Sequence, residues 1–229
     1  MQINLYFSLF INEPRLIMQI KCIVFDLDGT LVKSHETIYR TTVKTLEKLN
    51  LQTDLNEELF YNLLGHHFKD IFDECKIEVP DVNYFIDVYK DMYFDFIDDS
   101  TLYNNVEFLL TELKVRNIKT GLLTTKGQGQ AEKISKHFGI AKYLDVIEGR
   151  KNEVAHKPAP DQLLKICDEL KVNTESTLMV GDTELDILCG KNANAKTCAV
   201  SFGYRKVEDL KNYKPDYMID DLKDILEII

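Results

Sequence analysis

The sequence predicts an α/β protein: a doubly wound parallel sheet with a small α-helical bundle inserted after its first strand. Two observations carry that prediction. After residue 101, short apolar runs alternate with helical patterns, as they do where crossover helices join parallel strands. From Lys33 to Ser100 the alternation stops, and apolar residues recur at three- and four-residue spacings without a convincing buried strand.

Taken in order, residues 1–17 read as an extension before the domain, with Met18 a natural start for the domain itself. The apolar run Leu5 to Ile11 is broken by Ser8 and closed by Asn12-Glu13-Pro14, which makes it too short to span a bilayer. No Lys or Arg precedes it and no small-residue cleavage site succeeds it, so it makes a poor secretion signal. Ile20 to Phe25 is a β-branched and aromatic run ending at an Asp, the pattern of a strand buried on both faces. The inserted helical patterns are Thr41 to Leu49, Asn56 to Leu64, Lys69 to Cys75 and Val82 to Ile97. Further strands are expected at Lys119 to Leu123, Tyr143 to Ile147, Thr177 to Val180, Thr197 to Ser201 and Asp216 to Ile219. The helices between them are expected at Val106 to Arg116, Gln130 to Phe138, Pro160 to Leu170 and Leu185 to Asn192. The expected organisation is therefore an α/β core from 18–32 and 101–229, with a helical domain at 33–100.

At 229 residues and 45% apolar content, the chain can bury one full-sized core and a smaller appendage. A formal net charge of −10 argues against nucleic acid as a partner, because phosphate backbones are bound by a Lys and Arg surplus. Five widely spaced cysteines without a CxxC pair disfavour a disulfide framework and a zinc site, so a reducing, cytoplasmic location is expected. Neither nucleic acid nor a membrane is expected as a partner.

Four segments carry the chemistry, and each closes a strand or opens a helix at the edge of the sheet where ligands of such folds bind. Phe25-Asp26-Leu27-Asp28-Gly29-Thr30 sets two carboxylates one residue apart, on one side if the strand alternation persists. Thr124-Thr125-Lys126 offers a hydroxyl and backbone N–H groups suited to a phosphate oxygen. Lys157-Pro158-Ala159-Pro160 holds a cation ahead of a helix, and a compact ammonium suits a phosphoryl oxygen. Gly181-Asp182-Thr183-Glu184-Leu185-Asp186 places two Asp four apart as a helix opens. Singly, each has an ordinary reading: an Asp-rich turn, a capping Thr or Asp, a solvated Lys. Capping explains one Asp of the last segment but hardly the whole set.

Together and in this order, the four segments resemble the haloacid dehalogenase superfamily, over roughly residues 18–229. Lys33-Ser34, His156-Lys157-Pro158-Ala159-Pro160 and Ser201-Phe202-Gly203-Tyr204 are similar to its phosphoglycolate phosphatase-like branch, and the helical insert matches the cap of one subclass. The resemblance implies a Rossmann-like core and a phosphatase with Asp26 as nucleophile, Asp28 as general acid/base, and Thr124 and Lys157 as phosphate ligands. It also implies Mg²⁺ held by the Asp26 and Asp182 side chains and the Asp28 backbone carbonyl, with Asp186 orienting that set. Such a donor set agrees with the oxygen-only, part-hydrated coordination that Mg²⁺ prefers.

Three positions depart from the family pattern. Lys33 stands where relatives commonly carry Asp and Thr125 where many carry Asn; both are expected to border the space between core and cap. Asn194 replaces a frequent Gly at a helix end, where Asn tolerates the left-handed conformation. The turn Leu64-Gly65-His66-His67 is the candidate substrate-binding loop of the cap: Gly65 permits close approach, while His66, His67 and Lys69 are candidate leaving-group contacts. Phe60, Phe68, Phe72, Phe85 and Phe94 are expected to form the cap's own core. The alternatives within the superfamily are a pyrophosphatase, differing only in leaving group, and a phosphosugar mutase. The mutase would need a hinge His where this chain has Ile38, and His35 is out of register. A noncatalytic phosphate-ligand binder comes last, because every catalytic group is present.

Overall fold

The computed structural model describes residues 19–51, 54–151 and 154–229; the extension expected at 1–17 lies outside them. Strand β1 (Cys22–Phe25) sits at the centre of a six-stranded, all-parallel sheet with β4 (Lys119–Gly127), β5 (Val146–Arg150), β6 (Thr177–Gly181), β7 (Lys196–Val200) and β8 (Tyr217–Ile219). The spatial order is β5-β4-β1-β6-β7-β8. The remaining pair, β2 (Val32–Lys33) and β3 (Thr101–Leu102), forms a short antiparallel ribbon.

Helices cover both faces of the sheet, which is why β1 is a continuous apolar run and fully buried. Period-2 alternation sends Ile23 and Phe25 into the larger apolar cluster, while Cys22 and Val24 join Leu163, Ile166 and Met179 in a second one. Burial of each such Ile or Phe contributes about 1.5–3 kcal/mol. The second cluster is completed by helices α7 (Asp161–Leu170) and α8 (Glu184–Asn192), the first by α5 (Val106–Val115) and α6 (Gln128–His137) among others.

Between β2 and β3 lie α1 (His35–Lys48), α2 (Glu57–Asn62), α3 (Phe68–Cys75) and α4 (Val82–Met92). Helix α1 is rich in buried Thr, and its hydroxyls are satisfied locally: Thr41, Thr42 and Thr45 donate to the carbonyls of Thr37, Ile38 and Thr41 at 2.6–2.7 Å. Asn56 and Asp81 cap α2 and α4 by accepting from Leu59 and Tyr84 N–H groups. The expected aromatic core forms around Phe60, Phe72 and Phe85, all buried, but Phe68 also lines the cleft between insert and sheet, and Phe94 packs edge-on to His137 at 6.3 Å.

Several local expectations need correction. The helix expected through Ile97 is α-helical only to Met92 and then tightens to a 3₁₀ segment, Tyr93–Asp99. There the Thr37 hydroxyl reaches the Phe96 carbonyl and the Ser100 hydroxyl, contacts no local pattern encodes. A short helix α9 (Val207–Asn212) and the β2–β3 ribbon were too short to read from periodicity. Asn194, as expected, is left-handed, at φ 57°. Among the described residues no helix is long and apolar enough to cross a membrane.

Candidate active site

The strand order reverses at β1, so the carboxyl ends of β1, β4 and β6 open on one crevice. Asp26 comes directly after β1 and stays in the ladder, its N–H donating to the Val180 carbonyl at 2.9 Å. The chain then folds back through a tight loop, with the Gly29 N–H donating to the Val32 carbonyl at 2.8 Å. Gly29 has φ +88°, and a Cβ there would collide with the Asp182 carboxylate, so conformation and space both demand glycine.

Asp182 comes directly after β6 and is fully buried. Its carboxylate accepts from the Thr30 hydroxyl at 3.2 Å and the Tyr204 N–H at 2.8 Å. Asp186, in the first turn of α8, makes a capping box with Thr183: one oxygen accepts from the Thr183 N–H at 3.0 Å and its hydroxyl at 2.7 Å. The other oxygen accepts from the Lys157 ammonium at 2.6 Å, and Lys157 also donates to Asp26 at 2.6 Å. Capping and site chemistry are thus the two ends of one carboxylate.

Ligand oxygens of Asp26, Asp182 and Asp186 lie within 4.8 Å of one another. Three buried carboxylates face one ammonium, and the electrostatics record the imbalance. Burial pushes the Asp26 carboxyl up to about 7, with Lys157 opposing and Asp186 adding to the rise. Burial, then Asp26 and Asp186, drives Asp182 well above the usual carboxylate range. Burial would lower Lys157, but the two carboxylates it bridges outweigh that and hold it above its ordinary value. An oxygen-only, buried, excess-negative cluster is the donor chemistry of a hard divalent cation.

Asp28 lines the same cleft. The Ser34 hydroxyl donates to its carboxylate and contacts the Tyr204 hydroxyl at 2.8 Å, while the Lys126 ammonium stands 3.5 Å from its other oxygen. In sequence, Ser34 and Tyr204 belong to family-like segments that assign them no role, and Lys126 has only its place beside Thr124 and Thr125.

The β4 segment differs from expectation. The strand runs on through Thr124 to Gly127 instead of ending before them, and between Leu123 and Gly127 it advances four residues against two of β5, Glu148 to Arg150. That irregularity brings Thr125, Lys126 and Gly127 to the cleft, whereas Thr124 is buried and its hydroxyl accepts the Lys126 N–H at 3.3 Å.

The turn at Gly65 lies against the start of α8: a Cβ at Gly65, where φ is +99°, would meet the Thr183 methyl at 3.3 Å. His66 lines the cleft with one ring nitrogen engaged. Its Nε2 pairs with Glu184 at 2.9 Å, and Arg205 clamps the same carboxylate at 2.8 Å. Burial would raise Glu184, but these two partners draw it down to about 2. His67 lines the cleft too, while Lys69 is exposed and pairs with Asp73 at 2.8 Å. Lys33, expected beside the cleft, is exposed on the β2–β3 ribbon and does not line it.

A doubly wound sheet with a carboxylate cluster and a lysine at its switch point, beneath an inserted set of helices, defines a hydrolase of the aspartate-centred α/β class. The chain belongs to the haloacid dehalogenase-like hydrolase family, whose model matches residues 23–200. A relative from Clostridium perfringens is 35% identical, with 92% of this chain and 97% of the relative covered. Pyrophosphatase PpaX of Bacillus mycoides is 34% identical, with 93% of this chain and 98% of that protein covered. Among solved structures, a predicted phosphoglycolate phosphatase from Haemophilus somnus is 26% identical, with a TM-score of 0.79, covering 92% of this chain and 98% of that one. A haloacid dehalogenase-like hydrolase from Streptococcus pneumoniae is 25% identical, with a TM-score of 0.82, covering 91% of this chain and 98% of that one. The expected family, fold and hydrolytic class are met, and these similarities place the chain among the family's phosphatases.

Proposed function

We propose that the protein is a Mg²⁺-dependent phosphatase that hydrolyses a small phosphorylated molecule through a covalent aspartyl-phosphate on Asp26. The observation that carries this reading is the joining of Asp26 and Asp186 through Lys157, beside Asp182 and in a cleft that Asp28 also lines. The Asp26 and Asp182 side chains and the Asp28 carbonyl would hold the ion. Bound there, Mg²⁺ supplies positive charge that offsets repulsion between a carboxylate and a phosphate dianion.

Asp26 attacks phosphorus while the bond to the leaving oxygen breaks, and Asp28 delivers a proton to that oxygen. Asp28 then takes a proton from the water that attacks the aspartyl-phosphate, freeing Asp26. Such acid–base work contributes about 10²–10⁴-fold in rate. Lys157 neutralises phosphoryl oxygens, and Asp186 holds Lys157 in place. The β4 segment, with Thr125 at the cleft and Thr124 buried behind it, takes the remaining oxygens. Gly65 brings the cap turn close to the site, with His66 at the cleft wall and held by Glu184.

Pyrophosphate as the substrate is a second reading, favoured by relatives that bear the name pyrophosphatase over nearly their full length. The mutase reading is weakened because Ile38 lines the cleft where a mutase would need its hinge His, and His35 is edge-on to Tyr61 at 5.2 Å. The test is phosphate release from p-nitrophenyl phosphate, phosphoglycolate, pyrophosphate, sugar phosphates and nucleotides, with Mg²⁺ and with chelator. Release should require Mg²⁺ and fall by about 10³-fold or more in Asp26→Asn. Chelator-resistant release, or an Asp26→Asn variant of full activity, would sink the reading.

A further inference from the structure

The cleft encloses about 570 Å³, more than a single phosphoryl group needs, and part of its wall has no role in the hydrolytic steps. Besides Lys157, Lys126, Lys90 and His66, three groups that can carry positive charge line it from three separate elements: His67 in the inserted turn, Arg150 at the end of β5, and His156 just before Lys157. They lie close enough to feel one another. Burial and then the Arg150 charge hold both histidines below their ordinary value. Arg150 is itself lowered by burial, and among the described residues the one charge supporting it is Asp70.

Part of their hydrogen-bonding capacity is also unspent. The His67 Nδ1 accepts the Lys69 N–H at 3.3 Å, which leaves Nε2 to carry the ring proton. The His156 Nδ1 is buried with no partner among the described residues. A half-buried guanidinium that lines a cleft with two imidazoles gains from an anion bound there, and its planar fork matches phosphate or carboxylate oxygens.

We propose that His67, Arg150 and His156 form a subsite for an anionic leaving group, the phosphate or carboxylate that departs as the phosphoryl group passes to Asp26. The proposal rests on the phosphatase reading. The electron pair of the broken P–O bond stays on the leaving oxygen, which Asp28 protonates, while the subsite holds the leaving group's remaining charge. His67 arrives with the inserted turn, so the subsite is complete only when that turn lies over the core. This explains why a turn whose His66 is committed to Glu184 still bears on substrate choice.

The test compares wild type with Arg150→Gln and His67→Asn on substrates of two kinds, all with Mg²⁺. In pyrophosphate and phosphoglycolate the leaving group carries charge beyond its leaving oxygen; in p-nitrophenyl phosphate and a hexose phosphate it is otherwise neutral. Arg150→Gln should raise KM for one or both anionic substrates by about 10- to 100-fold, as expected for a lost charge-assisted contact. Hydrolysis of the neutral-leaving-group substrates should stay within about twofold. Loss confined to pyrophosphate identifies a phosphate leaving group, and loss confined to phosphoglycolate a carboxylate. Equal losses on all four substrates, or none on either anionic one, overturn the subsite. Calorimetric titration of the same proteins with methylenediphosphonate and Mg²⁺ decides the matter without turnover: equal affinity in wild type and Arg150→Gln overturns it. Failure of the underlying reading has a separate signature, since it would leave Asp26→Asn as active as wild type.

Discussion

Lys157 has a fully buried ammonium bridging two carboxylates, which gives it two roles that mutation separates. Lys157→Met leaves Asp26 and Asp186 facing each other unpaired, and breaking a buried pair by removing one partner costs about 3–5 kcal/mol. Denaturant melts of the metal-free protein should show that loss, and saturating Mg²⁺ should restore part of the stability without restoring activity. Asp182→Asn makes the complementary case. Wild type should gain about 2.7 kcal/mol of stability at a Mg²⁺ concentration one hundred times its Kd, and a thermal melt of the variant should show almost none of it. The residues of this cluster were legible in sequence because each sits in a short motif ending a strand or opening a helix. Arg150 was not, because a lone Arg carries no local pattern that separates a site from a solvated surface, and His156 was legible only as part of a family-like segment with no role of its own. His66 was legible as a position but not in its partner, since Glu184 lies 118 residues away.

At the scale of elements, the junction between the inserted turn and α8 has a testable electrostatic signature. Glu184 is drawn down to about 2 by His66 and Arg205 against the opposing effect of burial. A folded-state value below the ordinary 4.5 means stability that is present above 4.5 and is lost as pH falls towards 2. Stability measured by denaturant across that window should fall more steeply in wild type than in Glu184→Gln, and equal slopes would remove the junction as its cause. Secondary structure was legible wherever an element is long and periodic, as in α5, α7 and the central strands, whereas α1 begins at His35, ahead of the Thr41 expected. It was not legible where a third partner decides: the passage from α4 into a 3₁₀ turn answers to Thr37, and the run of β4 through Thr124–Gly127 answers to its slipped pairing with β5.

Across the whole molecule, a sheet with β1 at its centre gathers segments distant in sequence at one edge, and the Thr30 to Asp182 contact spans 152 residues. The alternation of strand and helix, the interruption by a helical insert, and the four motifs with their order were determined by the sequence alone. Hydrophobic periodicity and turn chemistry are local properties, and local properties survive in a one-dimensional string. Tertiary structure alone decided which side of the cleft each residue serves. It turned His66 to Glu184, left Lys33 and Lys69 outside, buried Thr124 and brought Arg150 to the same cleft as His67 and His156. Those outcomes depend on how an insert seats on a core, a long-range packing result whose competing alternatives look alike to any window of neighbouring residues.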